Sequence, residues 1–370
     1  MKIAVIGLGT MGLGIAQTFA QAGFQVLATD SHAPARDSAM ARLTAALAPR
    51  VEKGALTPTA RDALLARVTV VPGLADLSGA DLAIEAVLED LPLKQQIFRQ
   101  LERILPADAV LATNTSSLAV QAVAAGLARP QQLLGLHFFN PAPVMKLVEL
   151  VAHPGTSAPA LTSARAAATA AGKVVVDAPD RPGFIVNRCA RPFYGEALAL
   201  LDEGRSPAQI DAAMMTAGYR LGPFALIDLV GADINLAATE GLLAAMDGHP
   251  RYHVFVALRD QVARGDLGRK TGRGFLFPDR AGPPPHDAAA IVQRIEATLI
   301  NEACWLLAEG GTTREGIDTA LKLGLNFPRG PFEMLDSHGA AAIRQQLAQL
   351  QDRAPAALKP RYDLAPALAG

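Results

Sequence analysis

Short apolar, β-rich runs alternate with helix-patterned stretches from residue 2 to about residue 178: KIAVI, QVLAT, RVTVV, LAIEAV, AVLAT, LLGLHFF, KLVELV and KVVVD. Runs that stay apolar instead of alternating with polar positions mark strands buried on both faces. The pattern therefore predicts a mostly parallel sheet covered by helices. After DAPDRPGF the strand-like runs stop, and long Ala/Leu/Glu-rich helical stretches begin near Ile185. This change predicts an α/β domain over residues 1–180 followed by an all-α region.

Within the all-α region the pattern repeats. VNRCARPFYGEALALLDEG (186–204) aligns with VQRIEATLINEACWLLAEG (292–310), matching Val186 with Val292, Arg188 with Arg294, Glu196 with Glu302, Leu200 with Leu306, Glu203 with Glu309 and Gly204 with Gly310. ID recurs at 210 and 317, and GPF…D at 222–228 and 330–336, a spacing of about 106 to 108 residues. The all-α region is thus expected as two tandem copies, 181–280 and 288–370. FPDRAGPPPHD (277–287) lies between them, and its three consecutive prolines predict an extended linker.

Composition narrows the function classes. A chain of 370 residues is too long for one ordinary core. Charged residues make up 19% with a formal net charge of -1, so no single-sign field recruits nucleic acid or an anionic membrane. No stretch approaches the ~18 uninterrupted apolar residues of a membrane span. MKIAVIGLGTMGLGIA resembles a secretory signal only in having Lys2 before an apolar run; glycines interrupt it and it reads as a first strand. Cys189 and Cys304 alone signal neither a disulfide framework nor a metal cluster, and a reducing cytoplasm fits.

The first strand runs into Gly7, Gly9 and Gly12, spaced G-x-G-x-x-G with Leu8, Thr10 and Met11 between them. After a strand and before a helix, this spacing predicts a Rossmann-like phosphate cradle: a tight turn, a backbone that approaches a pyrophosphate, and close helix–strand packing at a positive helix end. FQVLATD then ends a second strand in Asp30, eighteen residues after Gly12, where an acid can accept hydrogen bonds from a ribose diol. An acid there repels a 2′-phosphate, so NAD is expected over NADP. The alternatives are glycines that serve packing alone, and an Asp30 that is only a turn or helix-cap residue.

Doubly wound sheets bind ligands beyond the carboxyl ends of their strands. Glu85, Glu89, Asn114, Ser116, Ser117, His137 and Asn140 all fall at such ends. A crevice of hydroxyls, amides and one imidazole beside a nicotinamide suits hydride transfer, because imidazole, with an ordinary pKa near ~6.5, can take the alcohol proton. A lone strand histidine is more often a satisfied core residue. Glu149, within the apolar run KLVELV, favours the base reading. A buried carboxylate needs a partner, and a His137–Glu149 pair would fix the imidazole as the acid of a triad does. The alternative puts Glu149 on an edge strand facing solvent. RPGFIVNR places Asn187 on the first turns of a long helix, as a donor to a substrate oxygen or as an exposed asparagine; the second copy has Gln293 there.

Through GLGTMG, ATNTSSL, GLHFFNPAPVMKLVEL, RPGFIVNR and LGRKTGRGF (267–275), the chain resembles the L-3-hydroxyacyl-CoA dehydrogenases over nearly its whole length, especially the bacterial 3-hydroxybutyryl-CoA type with a duplicated helical domain. The resemblance implies an acyl-CoA substrate, His137 as base, Glu149 as its partner, and Ser116 and Asn187 holding the substrate 3-oxygen. It puts Asp30, Glu89, Lys94, Ser116, Asn140 and Lys270 at NAD contacts and Lys53 near the CoA phosphates. Without it, the lysines read equally well as solvated surface charges. The family's helical domain also builds a dimer; here a homodimer, or a monomer in which the second copy replaces the dimer contact, is expected. The related L-gulonate dehydrogenases share the His/Glu pattern without CoA. The 6-phosphogluconate-like dehydrogenases share the start but carry a lysine motif where this chain has PGFIVNR. A non-catalytic NAD-binding regulator would lack the proton-transfer set.

Overall fold

The computed structural model describes residues 1–369, which form two compact units, Met1–Arg181 and a second from Pro182 onward. The first unit is one eight-stranded sheet: β1 (Lys2–Ile6), β2 (Gln25–Thr29), β3 (Val68–Val70), β4 (Leu82–Glu85), β5 (Val110–Thr113), β6 (Leu133–Phe138), β7 (Leu147–Ala152) and β8 (Val174–Pro179). Its order is β3-β2-β1-β4-β5-β6-β7-β8. All pairs are parallel except β6 with β7, which run antiparallel. Every residue of β4, β5 and β6 is buried, which accounts for the unbroken apolar runs.

Helices α1 (Thr10–Gln21), α2 (Ala33–Glu52), α3 (Pro58–Leu65), α4 (Leu91–Ile104), α5 (Val120–Ala124) and α6 (Ala158–Ala170) connect the strands. Local chemistry sets several of their starts. Asp90 accepts from Leu93 N at α4, and Thr57 and Ser157 cap α3 and α6 in the same way. The strand order reverses between β1 and β4, so the connections leaving those two strands diverge and open a crevice at their carboxyl ends.

The second unit is helical: α7 (Val186–Cys189), α8 (Arg191–Asp202), α9 (Pro207–Thr216), α10 (Pro223–Val230), α11 (Ala232–Ala245), α12 (Val256–Ala263), α13 (Ala288–Ala308), α14 (Arg314–Leu325), α15 (Pro331–His338) and α16 (Ala340–Arg353). The single long helix expected from Val186 is divided at Ala190. Pro192 follows at the start of α8, and its missing N–H cannot continue the ladder from α7. Residues 277–287 carry neither helix nor strand.

Matched residues of the two halves of this unit contact each other crosswise. Arg188 donates to Glu302 at 2.7 Å and to Glu309 at 2.6 and 2.8 Å; Arg294 donates to Glu196 at 2.7 Å and to Glu203 at 2.6 and 2.7 Å. Tyr252 donates to Glu302, and Tyr362 to Glu196. Asp211 accepts from Phe224 and Ala225 N at the start of α10, and Asp318 from Phe332 and Glu333 N at the start of α15. A side chain at Gly222 or Gly330 would lie 2.3 Å from the respective aspartate, so both GPF turns need glycine. Among the described residues no helix is long and apolar enough to cross a membrane, and no cluster of ligating side chains could hold a metal ion. Both cysteines are buried.

Candidate active site

The glycine loop follows β1 into α1. Gly7 has φ +97, and a Cβ on it would lie 2.5 Å from Ala86 O; one on Gly12 would lie 1.7 Å from Gly7 O. These two glycines answer to the protein itself. A Cβ on Gly9 meets no atom within 4 Å, so the bare backbone at the start of α1 is left for a ligand. In front of it lies a cleft of about 960 Å³, lined by Gly7, Gly9, Thr10, Met11, Asp30 and Val87 among others. Leu8 is buried, and its N–H donates to Asp30 Oδ2 at 2.7 Å, while Asp30 Oδ1 accepts from His32 N at 2.8 Å. Asp30 therefore locks the loop, as the turn reading expects, and also lines the cleft. These features fit a dinucleotide.

His137 and Glu149 are register partners across β6 and β7. His137 Nδ1 lies 2.7 Å from Glu149 Oε2, and the side chains are 7% and 1% exposed. The solvent-facing alternative for Glu149 is overturned, because β8 pairs outside β7 and leaves it no edge. Asn114, at the end of β5, accepts from Phe138 N through Oδ1 at 2.8 Å and so ties the β5 end to the strand carrying His137. Asn140 is exposed in the turn after β6.

Ser116 is exposed on the loop after β5, and Glu89 organises that loop. Glu89 Oε1 accepts from Thr115 Oγ1 at 2.6 Å, Ser116 N at 3.0 Å, Ser117 N at 3.1 Å and Ser117 Oγ at 2.8 Å. Burial pushes the Glu89 pKa up, but the Thr115 and Ser117 hydrogen bonds and the Lys94 charge outweigh this and lower it to about 2. Lys94 is no solvated surface charge: it is 1% exposed, and its Nζ lies 2.7 Å from Glu85 Oε1 and 3.1 Å from Glu89 Oε2. Lys53, in contrast, is exposed at the end of α2.

In the second unit, Asn187 is half-buried on α7. Lys270 is exposed and pairs with Asp233 at 2.5 and 2.6 Å. The LGRKTGRGF segment that carries it folds around Asp228, which accepts from Phe275, Leu276 and Phe277 N at 2.8 Å each. Sequence reasoning gave no role to Thr115, Asp228 or Asp233. The recurring GPF…D spacing marked Asp228, and Thr115 sits inside ATNTSSL; for Asp233 the sequence carries no signal.

Comparison with known proteins agrees with this geometry. The family model described as "3-hydroxyacyl-CoA dehydrogenase, NAD binding domain" matches residues 2–181, and that described as "3-hydroxyacyl-CoA dehydrogenase, C-terminal domain" matches residues 183–277 and 291–367. The chain is 42% identical over 274 residues to a 3-hydroxyadipyl-CoA dehydrogenase of Escherichia coli, covering 74% of this chain but 58% of that protein. It is 40% identical over 276 residues to a probable 3-hydroxybutyryl-CoA dehydrogenase of Bacillus subtilis, covering 74% of this chain and 96% of the relative. The crystal structure of 3-hydroxybutyryl-CoA dehydrogenase from E. coli superposes with a TM-score of 0.92 at 31% identity, covering 100% of this chain and 97% of that one.

Proposed function

The chain belongs to the 3-hydroxyacyl-CoA dehydrogenase family and is an NAD-dependent oxidoreductase; within that class we propose that it oxidises (S)-3-hydroxyacyl-CoA reversibly to 3-oxoacyl-CoA. The observation that carries this reading is the buried His137–Glu149 pair in strand register. His137 takes the hydroxyl proton through Nε2, because Nδ1 faces Glu149. Glu149 fixes that tautomer and stabilises the imidazolium that forms. Ser116 and Asn187 are proposed to hold the 3-oxygen as it becomes a carbonyl. NAD, when bound, supplies the hydride acceptor. The Gly7–Gly12 loop, including Leu8, Thr10 and Met11, would hold its pyrophosphate and Asp30 its ribose diol, while Glu89, Lys94, Asn114, Ser116, Asn140 and Lys270 complete the proposed cofactor set. Lys53 is proposed to meet the CoA phosphates.

The chain is further proposed to carry domains at 1–180, 181–280 and 288–370, the last two being tandem copies of one helical domain. The crosswise Arg–Glu pairs and the repeated match of one family model support this. A monomer in which the second copy stands in for a dimer partner is proposed over a homodimer, with the same contacts as its support. A cytoplasmic setting is proposed, in keeping with a chain whose two cysteines are both buried.

The deciding experiment is an NADH-linked rate series on 3-oxoacyl-CoA substrates of increasing chain length, with L-gulonate oxidation measured alongside. Turnover of acetoacetyl-CoA or a longer homologue, with none on L-gulonate, is expected. The opposite preference would remove CoA from the reading and leave the dehydrogenase.

A further inference from the structure

One buried guanidinium of the second unit has no acid against it. The ion pairs around the repeat balance: Arg188 and Arg251 stand against Glu302 and Glu309, and Arg294 and Arg361 against Glu196 and Glu203. Arg191, at the start of α8, is left over. It is 7% exposed, and Ala297 holds its matched position in the second half. Its Nε donates to Asn187 O at 2.9 Å, and its Nη1 to Thr239 Oγ1 at 3.1 Å and to Asn235 O at 3.4 Å. These acceptors are neutral, and among the described residues no carboxylate pairs with it. Burial lowers its pKa, and the Tyr194 ring against which it stacks is the group that opposes this. A desolvated charge without a counter-charge is costly, so the site calls for an anion.

Arg191 borders a cavity of about 10 Å³, whose lining includes Tyr194, Asn235, Arg251, His253 and Arg361 and no acidic side chain. Burial, and after it the charge of Arg361, holds the His253 pKa below its ordinary value. Arg251 keeps donors in reserve, because its Nε lies near Glu302 without forming a directional bond. Asn235 is 3% exposed, and its buried Oδ1 accepts no hydrogen bond. No side-chain bond fixes that amide either way round, so its NH₂ end can turn inward as a donor. The space suits one particle about the size of a water molecule. A halide ion is only a little larger, whereas phosphate or sulfate is far too large.

We propose that this cavity binds one chloride-sized monovalent anion, which compensates Arg191 and accepts from Arg191, Arg251 and the Asn235 amide. Through its bond to Asn187 O, Arg191 carries that hold to α7. None of the three residues belongs to the proposed catalytic or cofactor set, and the site stands whatever substrate the chain takes.

The test follows thermal unfolding of the full chain in sodium chloride, bromide or gluconate at one ionic strength, gluconate being too large to enter. The wild type is expected to melt roughly 3–6 °C higher in chloride than in gluconate once chloride exceeds its Kd about tenfold. Crystals soaked in bromide should show an anomalous peak beside Arg191. Arg191→Met should lose the halide dependence. Asn235→Asp, which supplies a fixed negative charge in the cavity, should melt alike in chloride and gluconate, and it decides alone if Arg191→Met does not fold. Equal melting of the wild type in both salts with no bromide peak would mean a water only and overturn the proposal. A bromide peak without a melting shift would mark an adventitious ion only and overturn it too, as would halide dependence that survives Asn235→Asp.

Discussion

At the scale of single residues, the proposed chemistry rests on a buried carboxylate. Glu149 is 0% exposed and meets His137 at 2.7 Å, so its charge is available to stabilise an imidazolium. Glu149→Gln keeps the volume and removes the charge, and is expected to lower kcat by about 10²–10⁴-fold, as is His137→Ala. NADH fluorescence titration should show nearly unchanged affinity in both; near wild-type acetoacetyl-CoA reduction by either variant would refute the mechanism. Glu89 sets an acid limit. Its pKa is lowered in the folded state to about 2 from 4.5, so the stability it contributes is complete above pH 4.5 and is lost as the pH falls toward 2. Glu89→Gln should flatten that part of a stability–pH curve followed by urea unfolding. The His137–Glu149 contact was legible in the sequence, because each residue interrupts an apolar run and a short Pro-containing turn separates the runs. The Glu85–Lys94–Glu89 line was not: three residues, from the end of β4, the loop after it and the first turn of α4, meet only once the crevice has formed.

At the scale of elements, the three glycines of the β1–α1 turn look alike in sequence and differ in structure. Gly12 is required by packing, since a Cβ there would sit 1.7 Å from Gly7 O, whereas a Cβ on Gly9 meets nothing within 4 Å. Gly9 also has an ordinary φ of -70. Gly12→Val should therefore destabilise the first unit, while Gly9→Val should leave its melting temperature unchanged and weaken NADH binding by blocking backbone approach to the pyrophosphate. If Gly9→Val bound NADH normally, the cradle would be a packing motif only. The strands themselves were readable from their apolar runs. The antiparallel course of β7 was readable too, because the short Pro-containing turn after Phe138 leaves the next apolar run to return beside β6. The break between α7 and α8 was signalled by Pro192, which the helical composition around it concealed.

At the scale of the whole chain, the repeated residues do not merely recur; those of one half are paired with those of the other. Arg188 and Arg294 occupy matched positions, and each reaches the matched glutamates across the repeat. The alignment made the matches legible, but the crossing is a property of packing and left no trace in either half alone. Burial by itself would lower the Arg188 pKa; Glu309 and Glu302 reverse this and keep it firmly charged. Arg251 Nε lies 3.1 Å from Glu302 Oε2 but off hydrogen-bonding geometry, so it contributes charge and little directional strength. Arg188→Met should therefore cost about 3–5 kcal/mol, because it strips Glu302, 1% exposed, of its best partner. Adding Glu302→Gln should recover part of that loss in a thermal unfolding cycle. The same logic governs association. A chain ending at Arg280 would retain Arg188 and Glu196 without their partners, and two such chains can satisfy each other, Arg188 of one meeting Glu196 and Glu203 of the other. Light scattering should show the shortened chain as a dimer, dissociated by Glu196→Lys, and the full chain as a monomer. A monomeric, stable shortened chain would mean that the crosswise pairs stand in for no dimer contact.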